Sequence, residues 1–226
     1  MAPERLKEPL VFEDRRDAGR ILAQQLRRYR DENPVVLGLP RGGVVVGYEI
    51  ARSLHAPLDV VVARKLGAPG NPEFGIGAIA PGGARVLDER AIRELGITEA
   101  QLERLIVAET EEMERRLRLY RGDRPLPDIR NRTVILVDDG LATGVTARAA
   151  IISLRRQHPS HLIVAIPVCA SETTGRLQTE VDALICASVP HNFQAVGLWY
   201  RHFDQTTDQE VIDLLARAAQ EVTTMG

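Results

Sequence analysis

Asp138 and Asp139 stand side by side at the end of the apolar run Val134–Val137. Two adjacent carboxylates at a strand tip repel each other and lose solvation, so the arrangement is unfavourable unless something pairs with them. A ribose diol and a hydrated Mg2+ ion are natural partners. From Ala142 through Thr143, Gly144, Val145 and Thr146 the chain is mostly small or hydroxylic. If a helix opens there, its free backbone N–H groups and its dipole favour a phosphate. Thr143 and Thr146 add hydroxyl donors. The segment thus offers acids for a sugar and a metal beside a cradle for a phosphate monoester.

A second segment has the chemistry of an anion loop. Pro40, Arg41, Gly42 and Gly43 follow the apolar run Val35–Leu39. Glycine lets backbone approach an anion closely. No Gly-Lys-Ser/Thr follows, so this is not a P-loop. Taken alone, a plain turn with a surface arginine is the favoured reading. Gly75-Ile76-Gly77-Ala78-Ile79-Ala80 matches a dinucleotide-binding fingerprint by letter, but Pro81, Gly82 and Gly83 follow where a helix would have to open.

The thirteen residues VILVDDGLATGVT (134–146) closely resemble the phosphoribosyl-pyrophosphate motif of the type I phosphoribosyltransferases. The resemblance implies that Asp138 and Asp139 hold the ribose hydroxyls and that Ala142, Thr143, Gly144, Val145 and Thr146 wrap the 5-phosphate. Mg2+ is expected as cofactor, held through substrate and water near the two aspartates. Arg41, Gly42 and Gly43 match the family's pyrophosphate loop, which often contains a non-proline cis peptide. Related enzymes often place a basic residue at the end of the second strand, where Arg64 and Lys65 stand; a solvated strand end is the alternative. The tail VPHNFQAVGLWY (189–200) resembles the hood of hypoxanthine-type enzymes, in which a Phe stacks on the base. Phe193 fits that role, and a packed hood core is the competing reading of Phe193, Trp199 and Tyr200. Many purine enzymes of the family carry an Asp where this chain has Ala142.

The elements that must position these residues are legible from periodicity. Asp14 caps a helix whose Ala18, Ile21, Leu22 and Leu26 share a face. A strand over 34–39, a helix through Val46, Ile50 and Leu54, and a strand over 58–64 make a β-loop-α-β unit with a right-handed crossover. Residues 74–80 and 84–88 read as a hairpin. Residues 66–72, with two glycines and two prolines, read as a hinged segment that swings over the site. Thr98 and Gln101 form a capping box for a helix to about Arg121 whose apolar stripe is interrupted at Glu109. A strand over 133–139, a helix from about Thr143, strands at 161–168 and 182–189, and a helix from about Thr207 complete the pattern. Alternating strands and helices predict an α/β, Rossmann-like, mainly parallel sheet flanked by helices, with its ligand at the carboxyl ends of the strands. The whole of 1–226 is expected to be one domain: a core over 33–190, a flap and helical insert over 66–124, and a hood over 190–226.

With 226 residues, 44% hydrophobic and a net charge of −2, the chain can bury a core and carries no basic excess. Nucleic acid is therefore not an expected partner. MAPERLKEPL at the start has no apolar stretch, and no run approaches a membrane span. Cys169 and Cys186 lie in apolar runs and read as two buried thiols without a disulfide, which suits a reducing compartment and a cytoplasmic protein. The expected function is transfer of a phosphoribosyl group from 5-phosphoribosyl-1-pyrophosphate (PRPP) to a nitrogen acceptor, by default a nucleobase, with release of pyrophosphate. The alternative is a PRPP-sensing regulator without turnover. A homodimer is expected.

Overall fold

The computed structural model describes residues 10–122, 124–125 and 127–225. The segment 1–9, which carries most of the N-terminal stretch discussed above, lies outside the described residues. In chain order the elements are α1 (Arg15–Leu26), β1 (Val35–Gly38), α2 (Gly42–Leu54), β2 (Leu58–Val60), β3 (Arg64–Ala68), β4 (Asn71–Ala80), β5 (Ala84–Leu87), α3 (Glu89–Glu94) and α4 (Glu99–Arg121). There follow β6 (Thr133–Val137), α5 (Val145–Arg155), β7 (His161–Val168), α6 (Ser171–Leu177), β8 (Ala183–Ser188) and α7 (Asp208–Met225).

β2-β1-β6-β7-β8 form a parallel sheet in that order. Parallel sheets are covered on both faces, so their strands read as unbroken apolar runs. Alternation then sorts the residues. Val35, Leu37, Val134, Leu136, Leu162 and Val164 pack with Ala147, Ile151 and Leu154 of α5. Their neighbours Val36, Ile135, Val137 and Ile163 pack with Leu22 and Leu26 of α1 and Ile50 and Leu54 of α2. The expected α/β sheet is present. β1 and β6 are neighbours, with Gly38 opposite Val137, so the loops that follow them emerge side by side.

β3-β4-β5 form a separate antiparallel sheet. It has its own small core, in which Leu66, Ile76 and Ile79 meet Ile92 of α3 and Leu102, Leu105 and Ile106 of α4. Its alanines Ala78, Ala80 and Ala84 lie against Ala149 of α5. Small residues there let sheet and helix approach closely.

One expectation needs correction here. The second parallel strand does not run to Arg64: it stops at Val60 because its partner β1 ends at Gly38, and Arg64 opens β3 of the other sheet. Residues 66–72 form the tip of the β3–β4 hairpin: Leu66 is fully buried and 64–68 pair with β4, leaving a turn at Pro69 and Gly70. Within the continuous α4, the Glu109 carboxylate that interrupts the apolar stripe accepts from Arg64 at 2.6 Å, so its charge is matched by the adjoining strand. The capping box of Thr98 and Gln101 is formed as read.

Arg121 pins the far end of α4 to Asp59 of β2 at 2.9 Å, with both side chains largely buried. α7 closes the outer layer by packing Val211, Leu214 and Leu215 on Val44, Tyr48 and Val60. The hood is built from both terminal segments: Phe12 N–H donates to the Trp199 carbonyl at 2.8 Å and Arg201 N–H to the Phe12 carbonyl at 2.9 Å.

Cys169 and Cys186 are joined as a disulfide, against the expectation of two thiols. Cys169 follows β7, Cys186 lies on the neighbouring β8, and their separation of 17 residues says nothing about that adjacency. The cysteine argument for a reducing compartment is thereby removed. Among the described residues no helix is long and apolar enough to cross a membrane.

Candidate active site

Buried β6 delivers its last residue, Val137, to the carboxyl edge of the sheet, and the two acids follow at once. Asp138 Oδ1 accepts from the Asp139 N–H at 2.9 Å. Burial, then the charge of Asp139, pushes the Asp138 carboxyl well above the usual aspartate range. Arg15 answers part of that charge: its Nε donates to Asp139 Oδ2 at 2.7 Å. Arg15 sits in the first turn of α1, a turn fixed by Asp14, which accepts from the Asp17 N–H at 2.7 Å. The Tyr200 hydroxyl donates to the Asp139 carbonyl at 2.5 Å. Burial and the nearby Asp139 hold that phenol far above its ordinary range.

The loop after β1 touches the acids directly. The Pro40–Arg41 peptide is cis. A Cβ on Gly42 would overlap Asp139 Oδ2, and one on Gly43 would lie 2.6 Å from the Val137 carbonyl. Glycine here is a matter of space between two loops. Arg41 reaches across to Asp208 at the start of α7, 4.0 Å away, and Asp208 also accepts from the Tyr120 hydroxyl at 2.5 Å.

The cradle starts beyond Leu141, which is buried and bridged to Cys169. Ala142 and Thr143 are exposed. Gly144, at φ +70°, is the N-cap of α5, a backbone state that side chains rarely adopt. The helix begins at Val145, two residues later than the periodicity suggests. Thr173 of α6 donates to the Ala142 carbonyl and props the loop from behind. The first turn of a helix leaves N–H groups without intrahelical acceptors, and no side chain caps α5.

Asp138, Asp139, Arg41, Gly42, Gly43 and Ala142–Thr146 therefore share the carboxyl edge of the parallel sheet. Lys65 does not join them in this structure: it lies on β3 of the second sheet, exposed, with Nζ donating to the Glu73 carbonyl at 2.8 Å. Phe193 packs in the hood cluster with Phe12, Val168, Tyr200 and Trp199. Sequence reasoning missed Arg15 and the hydrogen bond of Tyr200. Arg15 is 124 residues from its partner and sits in a helix read for its Asp14 cap and its apolar face. The one available signal was a charged side chain in the first turn beside a cap.

The family profile of the phosphoribosyl transferase domain matches residues 14–201. The chain belongs to the phosphoribosyl transferase domain family. The match spans every loop described above, from Arg15 to Tyr200. The chain is 41% identical over 216 residues to proteins named "Putative phosphoribosyl transferase MT0597" and "Putative phosphoribosyl transferase Rv0571c" from two strains of Mycobacterium tuberculosis. The aligned region covers 96% of this chain and 49% of each relative, so the chain spans about half the length of these curated relatives. The crystal structure of TT1426 from Thermus thermophilus superposes with a TM-score of 0.78 at 43% identity, covering 92% of this chain and 99% of that one.

Proposed function

We propose that this phosphoribosyl transferase family chain binds PRPP at the carboxyl edge of its parallel sheet and transfers the phosphoribosyl group to a nitrogen acceptor. The observation that carries the reading is the contact of two loops: the acid pair after β6 lies against the Arg41–Gly43 turn, with the open start of α5 beside them. In this assignment Asp138 and Asp139 take the ribose hydroxyls, Ala142–Thr146 the 5-phosphate, and Arg41–Gly43 the pyrophosphate.

The reaction forms a C1–N bond and breaks the C1–O bond to pyrophosphate, which leaves with the electron pair while the acceptor nitrogen loses its proton. The transition state has oxocarbenium character, so the protein's task is to orient the sugar and stabilise departing charge. Two carboxylates at one strand tip are a donor set that suits Mg2+, which binds one or two carboxylates together with substrate phosphates. When bound, Mg2+ neutralises charge on the leaving pyrophosphate. Asp138 and Asp139 would hold it, through water and substrate.

A nucleobase is the acceptor we propose. It would enter under the hood, which packs on the acid loop through Tyr200 and through Val196 against Gly140. Phe193 belongs to that cluster and is assigned to the acceptor side. Lys65 is assigned to pyrophosphate only if the β3–β4 hairpin moves inward as a unit. A cytoplasmic homodimer completes the proposal. A screen of candidate acceptors with PRPP and Mg2+, following pyrophosphate release, tests it. Release dependent on one class of nitrogen base supports it. Tight PRPP binding with no turnover on any base replaces the transferase with a sensor.

A further inference from the structure

Arg15 belongs to neither loop, yet three of its features converge on the donor site. Its Nε donates to Asp139 Oδ2 at 2.7 Å, its Nη1 donates to the Asp204 carbonyl at 2.7 Å, and its guanidinium lies 3.8 Å from the centre of the Phe203 ring. The side chains of Arg15 and Asp139 are only 12% and 18% exposed. A largely buried ion pair contributes little net stability, because desolvation offsets the attraction. Its geometric value is the stronger reason for this arrangement. A planar fork with several donors can hold a carboxylate on one edge and a carbonyl on another while stacking on a ring, and an ammonium cannot. The space is shaped for the pair: a Cβ on Gly42 would overlap Asp139 Oδ2 and lie 2.7 Å from Arg15 Nε.

We infer that Arg15 is a positioning residue for the donor: it fixes Asp139 against the Gly42 turn and ties that carboxylate to the hood at Phe203 and Asp204. The inference rests on the reading of Asp139 as an acid that meets the ribose. Arg15 itself touches no reacting atom. It turns Oδ2 toward the protein, leaves Oδ1 to other partners, and makes the order of the hood depend on the order of the acid.

Two measurements on folded variants test this. The first needs no donor: amide hydrogen exchange over residues 200–204 in Arg15→Gln, Asp139→Asn and the double variant. Each single change is expected to speed exchange there by about tenfold, the loss of one charge-assisted hydrogen bond, and the double variant is expected to be no faster than Arg15→Gln. Unchanged exchange in Arg15→Gln, or additive effects in the double variant, overturns the link. The second is calorimetry with Mg2+ and PRPP, with inorganic phosphate as the control ligand. Arg15→Gln is expected to weaken PRPP by about tenfold or more and leave phosphate unchanged, and Arg15→Lys to recover only part of the loss. Unchanged PRPP affinity in Arg15→Gln, or full recovery by Lys, overturns the positioning role. If the wild-type protein binds no PRPP, the donor reading falls, and the exchange measurement still decides the link between acid and hood.

Discussion

The two sheets of this protein each bury a leucine completely, by different means. Leu136 in β6 and Leu66 in β3 are both fully buried. Leu136 stands in an apolar run sealed by helices on both faces. Leu66 is the one large apolar residue of a strand that begins Arg64-Lys65 and ends Gly67-Ala68, covered by α3 and α4 from one side. A strand buried on both faces announces itself by composition. A short strand covered on one side beside glycines looks like a loop, and its identity comes from the partner strand it meets.

The same contrast should appear in stability. Leu136→Ala should cost about 2–5 kcal/mol and lower the melting temperature of the whole protein. Leu66→Ala removes as large a side chain, but the cavity falls in the smaller core of the insert. Its expected signature is faster hydrogen exchange confined to residues 64–106, with β6 still protected. Global loss of protection in both variants would mean that the two sheets fold as one cooperative unit.

Two glycines sharpen the comparison at a smaller scale. Gly42→Ala inserts a methyl group against Asp139 and Arg15, so it should cost about 1–3 kcal/mol as overpacking and also weaken donor binding. Gly70→Ala in the β3–β4 turn meets nothing within 4 Å but sits at φ +80°, so it should cost about 1 kcal/mol and leave binding alone. Equal effects on donor affinity would contradict the placement of the Gly42 turn in the site.

What could be read in advance follows the same line. The α/β order, the hairpin of 74–80 with 84–88, the capping box at Thr98 and both loops at the carboxyl edge come from local signals: apolar runs, periodicity and glycine placement. Arg15, Tyr200 and the Cys169–Cys186 bond arise from pairings across the sheet order, which composition does not encode. Glu109 reads as a gap in the apolar stripe of α4 because the cation that answers it, Arg64, comes from a strand 45 residues earlier.

The site also carries a stability signature, smaller than those above. Asp138 has its carboxyl held well above the ordinary range by burial and by Asp139. An acid whose folded value is raised destabilises the fold once the unfolded chain would ionise. The penalty is absent at about pH 3 and grows as pH rises through the ordinary aspartate range toward the raised value. Asp138→Asn should therefore melt a few degrees higher than wild type near neutral pH and show no advantage at acid pH, while losing donor affinity. Thermal melts across pH check this; an Asn variant less stable at neutral pH would contradict it.

Whether the acid pair and the α5 cradle form a PRPP site is decided by calorimetric titration of PRPP with and without Mg2+. Saturable binding that Mg2+ strengthens is expected, weakened by about 1.5–3 kcal/mol for each charge-assisted hydrogen bond removed in a folded Asp138→Asn, Asp139→Asn double variant. No heat at millimolar PRPP, or an affinity unchanged in that double variant, would contradict it.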